Sequence, residues 1–572
     1  MNDEKESRMM ADQAPPEQQL PHATPKNATV RNALRALPWI LFAMFAFREL
    51  ELPGAYMDEM NAGAFAPAIL DSRAADKPHF RLPDNILGNQ ARFPVVGGSV
   101  YNAEVASYVA APLYKFWGFS LLTQRLWEII ACGTLLLLFQ LLALRLFTSP
   151  LLLSAIASSL AVDPLFTFPV RANAMGFVLM LIGIFGVLLI LESCWRKQRV
   201  TTAAAVAVGA CTGLAILSYW IAAPVVFVPF LAVAYLARRS NRLWVLLLTT
   251  AICLSPYPYA VISIYLQAPS QLAHWGMPQF AVNAQRAAPV SLPVKVASAV
   301  QEYFNYFASA RPLFFTGASM LVGTLARAVI FVGAILFMFG DLIWRCRKGT
   351  PDKSNALLSL MIVGGPLVGF WILLTVFASI TYHHMLSTLP FAYLALGYVC
   401  DRSIALLPQI SVRARSSAAV AVPVLVLLIS VCQQQQVVSA LRRTGGIGFF
   451  NERIGEIPLL ASQLFPNAFV VFPDWGFHLP FLYLTAGKVP YAAASGEPRS
   501  WMTRVLAQQR NIVLCVTAAR TELIAASARE AGATVVVRPV NGRDGRLIFN
   551  FVHARLPAPG ASAPPSPAPP GT

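Results

Sequence analysis

The chain has 572 residues, and its 44 Lys and Arg against 27 Asp and Glu give a formal charge of +17. Hydrophobic residues make up 56% and charged residues only 12%, about half the ~25% of an ordinary soluble domain, which excludes a soluble enzyme, a disordered protein, a coiled coil and a nucleic-acid binder. The apolar residues come in long runs rather than alternation, which excludes a membrane β-barrel, and the basic excess suits the cytoplasmic ends of membrane helices.

Residues 1–30 are polar and rich in Pro and Gln, and read as a disordered cytoplasmic tail. They are not a signal peptide, because the first apolar run starts too late and lacks a small-residue cleavage site. Apolar runs of the ~20 residues that cross a bilayer follow. They lie near Ala33–Leu52, Leu122–Phe147, Leu151–Val170, Ala172–Ser193, Thr202–Leu217 and Trp220–Leu236. The series continues with Leu243–Leu266, Phe314–Trp344, Ala356–Ile380, Met385–Cys400 and Ala418–Cys432. The expectation is a polytopic α-helical membrane protein of about eleven spans.

Glu104–Ser120 is apolar but short, and it carries Glu104 and Lys115. If it does not cross, Arg31, Arg35 and Arg145 share one side with the clusters at Arg196–Arg199, Arg238–Arg242, Arg345–Lys353 and Arg402–Arg415. That side is cytoplasmic by the positive-inside rule. Glu104–Ser120 is therefore read as a juxtamembrane or re-entrant helix. The first outer loop is then 53–121, and the region after Cys432 also lies outside.

Composition changes sharply at about Arg442. Ala468–Phe472, Asn511–Thr517, Thr534–Arg538 and Arg546–Val552 read as short buried strands. Glu452–Leu464 and Thr521–Ala531 read as amphipathic helices. The alternation predicts a small α/β domain with a partly parallel sheet, and no Gly-rich phosphate loop follows its strands. The expected organisation is a tail (1–30), a transmembrane catalytic domain (31–435), a periplasmic α/β domain (436–556) and a disordered tail (557–572). Eight single cysteines with no CxxC pattern read as small buried hydrophobes.

The polar chemistry clusters on the outer face. Tyr56-Met57-Asp58-Glu59 directly follows the first span. Two adjacent carboxylates there form either a helix N-terminal pair, favoured by the dipole, or a reactive acidic site. Asp163 stands at the edge of an apolar run, with Arg171 as a candidate partner. Tyr382-His383-His384 opens the tenth run, and its histidines suit a phosphate or simply an interfacial position. Arg286, near His274 and Trp275, is suited to bidentate phosphate recognition or is a solvated loop charge. Asp474-Trp475-Gly476-Phe477-His478 follows a strand and suits either sugar binding or a plain turn.

Taken together, Asp58-Glu59, Ala111-Pro112-Leu113-Tyr114-Lys115-Phe116-Trp117-Gly118, Pro164-Leu165-Phe166 with Arg171-Ala172-Asn173, and His384-Met385-Leu386-Ser387-Thr388-Leu389-Pro390 resemble a known family. It is that of the GT-C glycosyltransferases of the protein O-mannosyltransferase and lipid A aminoarabinose transferase type. The likeness covers roughly residues 34–400. It implies an inverting transfer of a sugar from a polyprenyl-phosphate donor to a glycan, lipid or protein acceptor. The reaction would take place at the periplasmic face of a bacterial inner membrane. By position it implies Asp58 as general base, Glu59 as its orienting or acceptor-binding neighbour, and Asp163 as a second acidic residue. Lys115, Arg171, Arg286 and His383 or His384 would stabilise the leaving phosphate. No cofactor is required, though Asp58, Glu59 and Asp163 could converge on a divalent cation. The competing readings are an envelope glycan polymerase or ligase, and a lipid-linked-sugar transporter or flippase. Spans nearly free of central charge, apart from Arg327, speak against a transporter.

Overall fold

The computed structural model describes residues 28–71, 105–172, 176–267, 291–318, 321–348, 353–376, 382–406, 412–494 and 496–557. The first helix, α1, spans Ala28–Ala46. Two short helices follow, α2 (Met57–Ala64) and α3 (Ala66–Leu70). Next comes α4 (Val105–Trp117), which occupies the ambiguous segment. Its 13 residues extend only about 20 Å, short of a ~30 Å bilayer core.

The apolar series then runs α5 (Leu121–Leu146), α6 (Pro150–Val162), α7 (Pro164–Ala172), α8 (Phe177–Lys197), α9 (Thr202–Ser218) and α10 (Ala222–Ala237). It continues with α11 (Arg242–Leu254), α12 (Pro256–Gln267), α13 (Leu292–Ala308) and α14 (Thr324–Lys348). A short helix, α15 (Lys353–Ser359), passes through a π turn into α16 (Gly365–Val376), and α17 (Leu389–Leu406) and α18 (Val412–Thr444) complete the bundle. Among the described residues five helices are long and apolar enough to cross a membrane, or six if the bent pair α6–α7 is one span. The chain is thus a multi-pass membrane protein. The other predicted spans fall on shorter or broken helices. The Leu243–Leu266 run divides between α11 and α12, beside Pro256. The Phe314–Trp344 run begins as a 3-10 turn (Arg311–Thr316) before α14.

The third predicted span is also broken, bending by 44° between α6 and α7. Pro164 follows Asp163 and has no N–H to continue the ladder. Asp163 is fully buried at the break. Its Oδ1 accepts the Leu165 N–H at 2.8 Å and Arg327 Nη1 at 3.1 Å, and its Oδ2 accepts the Tyr393 hydroxyl at 2.8 Å. Arg327 also donates to Gln433 Oε1 at 2.8 Å. A single buried cluster therefore ties α6, α14, α17 and α18 together. Arg171, the partner expected for Asp163, lies at the far end of α7 and does not pair with it. A nine-residue helix of about 13 Å separates the two. Tyr306 and Phe307 on α13 are buried in the bundle core.

The C-terminal unit holds α19 (Ile457–Leu464), β1 (Phe469–Phe472), α20 (His478–Leu484), β2 (Tyr491–Ala493), α21 (Pro498–Gln509), β3 (Asn511–Val516), α22 (Thr521–Glu530), β4 (Thr534–Asn541) and β5 (Leu547–Arg555). The order β2-β1-β3-β5-β4 makes one sheet. It is parallel across β2, β1 and β3 and antiparallel across β5 and β4, as the predicted mixed pattern required. The four predicted strands are present. The three-residue β2 and the helices α20 and α21 were not foreseen, because β2 is too short to show a period. Edge strand β4 is largely exposed and carries Arg538 and Pro539, which blunts it against further pairing. Successive residues of β3 serve two cores. Ile512, Leu514 and Val516 pack with α21 and α22, whereas Val513 and Cys515 belong to the same buried cluster as the membrane helices.

Replacing Arg327 with Met leaves the Asp163 carboxylate buried without its cation. The expected cost is about 3–5 kcal/mol, read as a lowered melting temperature of the purified protein. The double variant Arg327→Met/Asp163→Asn should recover part of the loss.

Candidate functional site

The segment between α1 and α2 makes few regular backbone bonds, so its carbonyls need other donors. Two buried arginines supply them. Arg171, from the end of α7, donates to the carbonyls of Glu49 at 2.6 Å and Leu52 at 2.9 Å, and to that of Arg48. Arg125, from the first turns of α5, donates to the carbonyls of Pro53 at 2.8 Å and Arg171 at 3.0 Å, and to that of Leu50. Its remaining fork grips Glu59: Nε to Oε1 at 2.9 Å and Nη2 to Oε2 at 3.3 Å. Both side chains of this pair are 0% exposed.

Glu59 is the third residue of α2, and its Oε2 also accepts the Tyr56 N–H at 3.4 Å. It is thus the capping carboxylate that one reading of Asp58-Glu59 described. Removal from water raises its pKa above the ordinary value, against the pull of Arg125. A fully enclosed Glu59 cannot bind an acceptor; it holds in place the helix that carries Asp58. Asp58 is the second residue of α2. The side chains of Asp58 and His383, and all of Arg286, lie outside the described residues.

A polar chain runs beside this pair. Tyr114 on α4 donates to Gln124. The Gln124 amide in turn donates to the Glu59 carbonyl at 3.2 Å and to Glu128 Oε1 at 3.0 Å. Gln124, Arg125 and Glu128 are all fully buried. Sequence reading passed over them, although three polar residues within two turns at the start of an apolar run were a legible signal. Lys115 lies exposed in the last turn of α4, a helix that packs on α2 and α3. His384 is half-buried, and its Nε2 lies 2.7 Å from the Tyr219 hydroxyl, edge-on to Phe177.

The structure therefore joins Glu59 and Arg171 through Arg125, and leaves Asp163 a helix length away with Arg327. Arg171 is enclosed by carbonyls rather than presented to a phosphate. Glu59 and Asp163 each face a guanidinium, so neither offers a divalent cation an uncompensated carboxylate. Among the described residues no three His, Cys, Asp or Glu side chains gather.

The C-terminal unit closes over α2. Helix α20 packs on α2, and the Gly476 N–H points at Met57 Sδ, 3.1 Å away. Tyr56 stacks on Phe450 with ring centroids 3.9 Å apart and meets Trp475 edge-on at 6.0 Å. Trp475 is half exposed. Gly54 donates its N–H to the Phe450 carbonyl at 2.7 Å, and a Cβ there would fall 2.0 Å from the Asn451 carbonyl oxygen, so only glycine permits the approach. Asp474, offered as a sugar ligand or a turn residue, takes the structural part. It accepts from the Thr517 N–H and hydroxyl, both at 2.7 Å, and from Arg520 at 2.6 Å.

No family model and no curated protein sequence matches the chain. Solved structures do. The chain has the GT-C fold that its motifs implied. It is similar to the crystal structure of ArnT from Cupriavidus metallidurans bound to undecaprenyl phosphate, with a TM-score of 0.53 and 14% identity over 94% of this chain and 100% of that one. The apo form of the same protein matches at 0.52 and 14% identity, over 92% and 98%. The mycobacterial arabinofuranosyltransferase AftD aligns at 14% identity over 92% of this chain and 40% of its own, but a TM-score of 0.43 is too low to read a shared fold from it.

Arg125→Ala should cost about 3–5 kcal/mol, because it strands a buried carboxylate and several carbonyls. A lowered melting temperature and faster proteolysis between α1 and α2 would register the loss. The junction is also sensitive to acid. Burial lowers the pKa of His478, in the first turn of α20, to about 4. The unfolded chain (pKa ~6.5) binds that proton more readily, so this contribution to stability is complete above pH ~6.5 and is lost progressively as pH falls toward 4. Melting temperatures measured across that window should fall in wild type and fall less in His478→Gln.

Proposed function

We propose that this chain is a membrane glycosyltransferase that moves a sugar from a polyprenyl-phosphate donor to an envelope acceptor. The reaction takes place at the outer, periplasmic face of a bacterial inner membrane. The observation that carries the reading is the buried Glu59–Arg125 pair, which anchors the helix bearing Asp58 directly after the first membrane helix in a GT-C fold. A bound undecaprenyl phosphate in a structure of the same fold supports the donor class.

Asp58 accepts the proton of an acceptor hydroxyl or amine. The freed lone pair attacks the anomeric carbon opposite the phosphate, the carbon–oxygen bond to phosphate breaks, and polyprenyl phosphate leaves with the electron pair. The configuration inverts. Lipid phosphate is already a fair leaving group, so the protein's main tasks are to position the acceptor and deprotonate it. Glu59 and Arg125 keep Asp58 in place, and Arg171 keeps the preceding loop in place. In this reading Lys115, exposed on the helix that packs on α2, and His384, supported by Tyr219, stabilise the departing negative charge. Asp163 is assigned to the scaffold. The C-terminal unit, closed over α2 with Trp475 half exposed at the junction, contributes to the acceptor side.

Asp58→Asn should fold as wild type and lose about 100-fold or more in transfer rate. Mass spectrometry of envelope glycans in a deletion strain complemented with wild type or variant provides the measurement. A missing sugar restored equally by both would remove Asp58 from the reaction.

A further inference from the structure

At the membrane face opposite Glu59, four helices end together. Arg125 and Arg145 lie 20 residues apart on α5, about 30 Å or one bilayer core. There the last turns of α5, α8, α14 and α17 bring Arg145, Arg196, Arg345 and Arg402 around a cavity of about 450 Å³, with Thr148 and Asn355 on its wall.

Part of this cluster is explained without a ligand. Arginines collect at cytoplasmic helix ends and complement helix C-termini. Glu192 accepts Arg145 at 2.8 Å and also accepts Arg196. Asp341 lies 3.8 Å from Arg345 and 3.5 Å from Arg402. Asp401 accepts the Thr148 hydroxyl at 2.8 Å. Among the described residues, three carboxylates against four guanidiniums leave a charge of +1 (4 − 3). Each guanidinium offers five N–H donors, some of which go to the carbonyls of Leu189 and Arg145 and to the Tyr398 hydroxyl. Arg402 Nε is buried and faces Asp341 Oδ2 at 3.5 Å without making a hydrogen bond to it. Net positive charge and four guanidinium forks around one cavity suit a tetrahedral oxyanion rather than a neutral or cationic guest.

We propose that this cavity is a phosphate-binding site, distinct from the donor site across the membrane. It takes the phosphate of an anionic phospholipid headgroup from the adjoining leaflet or of a soluble phosphate ester. The full-length protein in phosphatidylcholine nanodiscs is titrated with phosphatidylglycerol, glycerol 3-phosphate and inorganic phosphate, and saturable thermal stabilisation is followed. Wild type should respond. Arg196→Gln, whose side chain is 56% exposed, and Arg402→Gln should bind about tenfold more weakly. Arg347→Gln/Lys348→Gln, exposed at the same face outside the cavity, should match wild type. A response to phosphatidylglycerol alone identifies a lipid occupant, and one to the soluble anions identifies a soluble one. Should Arg402→Gln fail to fold, Arg196→Lys carries the test, because it keeps the charge, loses the fork and should weaken binding. Absence of a saturable response in wild type, or an equal loss in the Arg347/Lys348 variant, overturns the proposal.

Discussion

The enclosure of Arg125 is the constraint on which the half of this molecule around α2 depends. A guanidinium removed from water costs several kcal/mol unless its donors are matched. Arg125 meets that cost with both oxygens of Glu59 and with carbonyls from Leu50, Pro53 and Arg171. The same bonds solve the problem of the irregular 47–56 segment, whose carbonyls would otherwise be buried without donors. Arg171 repeats the device one layer away. The loop is therefore held by helices α5 and α7 rather than by its own secondary structure. Asp58 inherits its backbone position from residues at least 65 positions distant in the chain.

The C-terminal unit belongs to the same construction. One face of its sheet shares a continuous core with the membrane helices, while the other closes on α21 and α22. The contact passes through Gly54, Tyr56 and Phe450, immediately before α2. Anything that displaces the unit therefore moves the helix that holds the acidic pair.

Deeper in the bundle, polar residues serve the scaffold. Asp163, Arg327, Tyr393 and Gln433 satisfy one another at a broken span, where a freed backbone would be costly in lipid. The arginines at the opposite face form a different kind of cluster, because they line a cavity. One charged group is closed on itself; the other surrounds an open volume.

Composition alone defined a multi-pass helical membrane protein, because so few charges over such long apolar runs have no soluble solution. The balance of basic clusters marked the α4 segment as juxtamembrane or re-entrant, and alternating strand and helix patterns marked a mixed α/β unit at the C-terminus. Motif order pointed to the GT-C fold and drew attention to Asp58 and Glu59. What these residues do within the fold was not legible. Asp163 was matched with Arg171 because they are near in sequence, whereas helix length separates them and packing supplies Arg327 from 164 residues away. Arg171 seemed available for phosphate until the loop carbonyls around it were visible. Arg125 went unnoticed because its partners are mostly backbone atoms, which carry no side-chain signature. Local pattern decides where a helix forms and which face is apolar, since both follow from nearest neighbours along the chain. Which buried charge meets which is decided by three-dimensional closure, since desolvation penalises every unpaired group and only packing brings the partner.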